Sequence, residues 1–197
     1  MSIPVFPSSV PIGRVIPQEP KQLATIVNFA GSNDEQRAIW GDRYYSEYPA
    51  IPLVNLTDAE KEALESWIYT TIEYAKLSFL FQNPYDKSRT AVTLVALTAG
   101  GSVTRWGLPT SGRFAGDHPS AEAGTYVVRV GGSPVTVSEV KTDDREFVLS
   151  SGVSDASDVD ADFEFYSRLR LRPEGYRIRP LASGVWEGSL AVDEVNA

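Results

Sequence analysis

The chain has 197 residues, a formal net charge of −8, no cysteine and a single histidine, His118. That length suits one large domain, or a core with a smaller insertion, burying about 70% of its surface; the acidic balance argues against a sequence-independent grip on nucleic acid, which needs a basic stripe. Without cysteine there are no disulfides, thiolate nucleophiles or thiolate metal sites, and one histidine cannot build a His-based metal cluster within one copy.

Residues 1–20 carry Pro4, Pro7, Pro11, Pro17 and Pro20, which break helix, and the segment lacks the basic start of a signal peptide. Between the prolines lie Ile3, Val5, Phe6, Val10, Ile12, Val15 and Ile16, too apolar a set for a solvated tail. An extended arm is expected, packed on its own domain or on a neighbouring copy. Residues 21–30 alternate Leu23, Thr25, Val27 and Phe29 on one face as a strand does. Turn residues Gly31 to Asp34 follow, and then an aromatic strand region in which Tyr44, Tyr45 and Tyr48 are expected at the edge of the core.

A helix is expected over 57–76. Thr57 with Glu60 three residues on forms a capping box, and Asp58, Glu60 and Glu62 suit the positive end of the helix dipole. Ala63, Leu64, Trp67, Ile68, Thr71, Ile72 and Ala75 recur at helical spacing, which makes an apolar stripe that must pack on a sheet. Strand pattern resumes over 77–82 and again over 90–97. Residues 98–124, rich in Gly, Ser and Pro, read as a long irregular loop where Trp106 could meet a ligand. Gly131-Gly132-Ser133 signals a hairpin between TYVVRV and PVTVSEV, and EFVLS is a further strand.

The charge then switches. Residues 138–164 carry a net −7 and residues 165–179 a net +4. Over 163–172 Phe163, Phe165, Leu169 and Leu171 fall on one face, with Glu164, Tyr166, Arg168, Arg170 and Arg172 on the other. Arginines about 6.6 Å apart on one face repel each other and require acidic partners: another strand, another subunit, or the acidic stretch 139–162 of the same chain. The last strand, 184–195, sets Trp186, Leu190 and Val192 opposite Val185, Glu187, Ser189, Ala191 and Asp193.

Chemistry is weakly advertised. There is no GxxxxGK[ST] and no GxGxxG motif. Asp158, Asp160 and Asp162 match the start of a calcium loop, but Phe163 and Leu169 stand where that loop needs glycine and a bidentate acid, so a solvated acidic turn is expected. His118 beside Asp117 is expected to be an exposed loop residue. No catalytic, cofactor or metal residue is assigned, and the chain is not expected to be an enzyme.

The order of elements is distinctive: an N-terminal strand, the aromatic segment Arg43-Tyr44-Tyr45, the capped helix LTDAEKEALESWIYTTIEYAKLSFLF running into an aromatic strand, a β insertion with AGTYVVRVGG, a return through ADFEFYSRLRLRP, and the closing strand GVWEGSLAVDEV. It resembles the distal tail (tail-tip) proteins of long-tailed bacteriophages and gene-transfer agents, across roughly 21–88 and 163–197 and more weakly across 89–162. The resemblance implies a mainly β fold with one packed α-helix, a tail-tube-like β-sandwich or barrel with a β insertion. The implied domains are the arm 1–20, a core from 21–88 plus 163–197 with helix 57–76, and an inserted region 89–162. It also implies a structural virion component of the tail, a homo-oligomeric ring, typically a hexamer, joining the tail tube protein to the hub of the tip or baseplate, with no membrane span. The residues themselves nominate Arg168, Arg170, Arg172, Arg177, Arg179, Val5 and Phe6 for the subunit interface. Two other classes compete. One is a carbohydrate-binding β-sandwich using Trp106, Tyr126 or the tyrosines at 44–48; the other is a hydrolase built on paired carboxylates, for which no pair stands at a diagnostic spacing.

Overall fold

The structure, a computed structural model, describes residues 2–13, 24–28, 35–39, 50–74, 76–84, 87–110 and 116–195. Among these residues the fold is mainly antiparallel β with one short helix. In chain order the elements are β1 (Ala24–Asn28), β2 (Glu35–Ile39), β3 (Ile51–Thr57), α1 (Asp58–Ser66), β4 (Ser78–Phe81), β5 (Ser88–Thr93), β6 (Val95–Ala96), β7 (Val103–Gly107), β8 (Asp117–Pro119), β9 (Tyr126–Val130), β10 (Ser133–Val135), β11 (Val137–Lys141), β12 (Glu146–Val153), β13 (Val159–Ala182) and β14 (Val185–Glu194). β1 and β2 pair as a two-stranded sheet.

β13, 24 residues long, is the axis of the molecule. One edge is paired in succession by β9, β8 and β14, and the other by β5 and β4. Up to Arg170, where both edges are hydrogen-bonded, side-chain alternation alone decides burial. From Val159 to Leu171 every odd residue is buried, and Glu164, Tyr166, Arg168, Arg170 and Arg172 all lie on the other face, as the sequence pattern predicts. Pairing with β14 slips between Leu171 and Tyr176, a bulge with Glu174 at φ 58°. Gly175 is required there, because a Cβ would stand 2.5 Å from the Ala191 carbonyl oxygen.

The buried apolar side chains form two clusters. The first gathers Phe6, Val10, Ile51, Leu53, Leu56, Leu64, Ile68, Ile72, Phe79, Phe81, Leu169, Leu171, Leu190 and Val192 between α1, the strands β3, β14, β13 and β4, and the N-terminal arm. The second gathers Val92, Leu94, Val103, Trp106, Leu108, Val128, Phe147, Leu149, Val159, Ala161, Phe163 and Phe165, where the β5–β13–β9 layer faces the four-stranded sheet β11-β12-β7-β6. The two meet along β13 between Phe165 and Leu169.

The helix begins as its sequence predicts. Thr57 Oγ1 accepts from the Glu60 amide, and the Glu60 carboxylate accepts from the Thr57 amide. It ends earlier than position 76: after Ser66 the chain widens into a π-helical turn, Trp67–Thr71, and Glu73 and Tyr74 adopt φ of 48° and 45°. Leu64, Ile68 and Ile72 are fully buried, whereas Ala63 and Thr71 of the expected stripe are exposed.

Two other expectations change, and one of the two alternatives for the arm is observed. Residues 98–124 are not one irregular loop, since they contain β7 and β8. PVTVSEV is not one strand: it breaks at Thr136, with β10 pairing β9 and β11 joining the other sheet. The β9–β10 hairpin itself turns at Gly131 and Gly132, at φ 56° and 81°, a conformation that glycine adopts without steric cost. The arm, finally, lies on its own domain. Leu80 N–H donates to Pro4 O and Phe6 N–H to Leu80 O, both at 2.8 Å, on the free edge of β4; Gly13 N–H donates to Pro52 O at 2.8 Å on the free edge of β3. The strap therefore joins the two outer strands of β3-β14-β13-β4 and closes that layer towards a barrel, and its prolines leave few unpaired donors along the edges it covers.

Candidate functional site

The exposed face of the β13–β14 ribbon carries the arginines singled out by the sequence. Arg168 Nε donates to Ser78 Oγ at 2.9 Å. Arg172 Nε meets Asp193 Oδ1 at 2.6 Å, and Arg179 Nε meets Glu187 Oε1 at 2.7 Å. Both acids are on β14, Glu187 directly opposite Arg179 in register. Within the chain, the partners of Arg172 and Arg179 are thus on the adjacent strand and not in the acidic stretch 139–162. Arg170 and Arg177 are exposed, and neither side chain forms a hydrogen bond or ion pair among the described residues. Arg177 and Arg179 line an open groove of about 460 Å³ with Pro52, Val54, Glu187 and Ser189.

Of the two arm residues nominated for an interface, Val5 is half exposed, but Phe6 is 8% exposed and belongs to the core. Its ring meets Trp67 and Phe81 edge-on, each at 5.5 Å between centroids. The reason is the strand edge of β4, which fixes the arm so that Phe6 points inward.

The acidic stretch is occupied inside the chain. Arg129 pairs with Asp160 at 3.2 Å and with Asp162 at 2.5 Å, and Asp162 also accepts from the Ala91 amide at 2.8 Å. Those contacts hold the Asp162 carboxyl below its usual range. Among the described residues, no three His, Asp or Glu side chains stand together as a metal site, and no helix is long and apolar enough to cross a membrane.

The aromatic candidates for sugar stacking fare differently. Trp106 is 1% exposed on β7, with its indole N–H on Val103 O, so it is core and offers no ring face for stacking. Tyr126 is half-buried against Phe147. Tyr44, Tyr45 and Tyr48 lie outside the described residues.

Sequence reasoning missed a buried polar cluster at β8. His118, expected in solvent, is 1% exposed, and its Nδ1 lies 2.9 Å from Thr142 O. Arg145, also buried, donates Nε to Asp117 O at 2.8 Å and Nη2 to Pro109 O at 2.9 Å. Arg89 Nε pairs with the Asp117 carboxylate at 2.9 Å, its guanidinium 3.7 Å from the Phe165 ring centroid. Glu146 is buried against Arg105 in a bidentate pair. Burial lowers the pKa of both His118 and Arg145, because each would carry its charge away from water. The adjacency of Asp117 and His118 was the only trace of this cluster in the sequence.

No protein-family model matches the chain, and no curated protein matches it in sequence.

Proposed function

We propose that this chain is a structural subunit of a long-tailed-phage-type tail, a distal tail protein that assembles as a ring, hexameric by its resemblance, between the tail tube and the hub of the tip. Its role is mechanical, and no catalytic residue is assigned. The observation that carries the reading is β13: one continuous strand supplies Phe163 and Phe165 to one core and Leu169 and Leu171 to the other. Two units that share a hydrogen-bonded strand cannot hinge freely without breaking ladder bonds, which suits a part that transmits force. Arg170 and Arg177, unpartnered among the described residues, add an exposed cationic face for a neighbour, since guanidinium groups favour planar, bidentate contacts at partly dry interfaces.

The test is the mass of the purified chain by light scattering, with negative-stain imaging, alone and mixed with tail tube and hub proteins. A closed ring of several copies, or one formed only with those partners, is the expected result. A chain that stays monomeric at high concentration and binds neither partner overturns the proposal.

A further inference from the structure

The turn at 142–145 is fastened to β8 and its flanks by four bonds: Thr142 O to His118 Nδ1, Arg145 Nε to Asp117 O, Arg145 Nη2 to Pro109 O, and Leu108 N–H to Arg145 O at 3.0 Å. The same turn holds the leading end of the arm, because Ile3 N–H donates to Asp143 Oδ2 at 3.2 Å. A carbonyl can only accept, so Nδ1 carries the proton and Nε2 is left with its lone pair. Nε2 is fully buried and has no hydrogen-bond partner among the described residues.

We propose that His118 is an acid-sensitive latch: neutral, it fastens the turn at 142–145, and through Asp143 the start of the arm, to the junction of the two cores; protonated, it leaves its buried seat and the turn and Ile3 come free.

Burial sets the direction, and the neighbouring arginines add to it. Arg145 on the turn and Arg168 on β13 both oppose a positive charge at this ring, and Asp143 is the acid that favours one, its carboxylate already bonded to Ile3. Tyr166 on β13 faces His118 across the strand pair, and Asp117 on β8 is neutralised by Arg89 from β5. A proton on Nε2 would therefore make a buried cation with an unsatisfied N–H beside two guanidinium groups. The open form takes that proton at the ordinary histidine value near 6.5, and the closed form only at lower pH. Closure is thus unaffected above about pH 6.5, and it weakens by up to about tenfold for each pH unit below that until the closed form also protonates.

Hydrogen exchange tests this on the whole chain at pH 7.5 and 5.5, corrected for intrinsic rates. Exchange of the Leu108, Arg145 and Ile3 amides should rise severalfold to tenfold at the lower pH, while Leu169 and Leu190 stay protected. In His118→Asn, which keeps a short N–H donor and cannot titrate, the rise should vanish. Equal protection at both pH values, or the same rise in His118→Asn, overturns the proposal. Should that variant fail to fold, the imidazole NMR titration of the native chain decides, since it has one histidine: a midpoint at or above 6.5, or an Nε2–H tautomer, refutes the latch.

Discussion

Around the first core, Phe6, Trp67, Phe79 and Phe81 meet at centroid separations of 5.1 to 6.2 Å, and α1 adds Leu64, Ile68 and Ile72. Beside the second core, Asp117, His118, Arg145 and Glu146 are buried, each bonded to a partner. The first arrangement is area burial, non-directional and indifferent to pH. The second is a set of directional bonds whose value depends on every member being present and correctly charged. The same chain thus has one region that should fail through lost volume and another that should fail through a lost partner.

The largest effects are expected in the first region. Phe6→Ala should lower stability by about 3–5 kcal/mol, because it removes the ring between Trp67 and Phe81 and leaves a cavity the strap cannot fill. Deleting residues 2–13 should do more, exposing the edges of β3 and β4 and leaving an aggregating chain. Denaturant midpoints and solubility read both; a truncated chain that melts like the parent would show that the arm is not core.

Next comes Arg145→Met, which keeps the apolar stem but strands Asp117 O and Pro109 O. A loss of about 1–3 kcal/mol is expected, with raised hydrogen exchange confined to residues near β8 and β12. A loss spread evenly over both cores would erase the distinction between the regions.

How much of this was legible in the sequence depended on how local the cause was. The capping box at Thr57 and Glu60, the alternation along β13 and the Gly131-Gly132 turn each arise from residues within a few positions, and each appears as the sequence predicts. His118 and Trp106 were misjudged because glycine-rich surroundings look like loop, whereas what buries them is distant: the turn at 142–145 covers His118, and β12 lies beside Trp106. The arm was half legible. Its prolines dictate extension, but which edge it pairs with is decided by β3 and β4. For the arginine face, the direction of the side chains could be read, and the partners of Arg172 and Arg179 could not, since they follow from the β13–β14 register.

A smaller effect belongs to Asp162. Arg129 and the Ala91 amide hold its carboxyl below the usual range in the folded chain. Its stabilisation is present above the unfolded value near 3.9 and is lost as pH falls through the lower folded value. Arg129→Gln should therefore move the acid-unfolding midpoint to higher pH and leave stability near pH 7 less affected than Arg145→Met does. An unmoved acid limb would mean that the pair adds nothing.

The smallest change in the isolated subunit is expected from Arg170→Gln with Arg177→Gln. Both side chains are exposed and unpaired among the described residues, so removing their charge breaks no contact, and each substitution should shift stability by no more than about 0.5 kcal/mol. Charge reversal is less clean, because at Arg172 or Arg179, and at Arg170, which stands opposite Asp193 in register, it would place like charges beside Asp193 or Glu187 and disturb the ribbon itself. The double variant at 170 and 177 therefore separates fold from assembly. If a neighbour docks on this face, self-association or partner binding should fall at least tenfold at unchanged melting temperature, and high salt should weaken the native chain in the same direction. Unchanged assembly with unchanged melting would place the contact surface elsewhere and leave the two arginines as solvated charges; a lowered melting temperature would assign them to the fold.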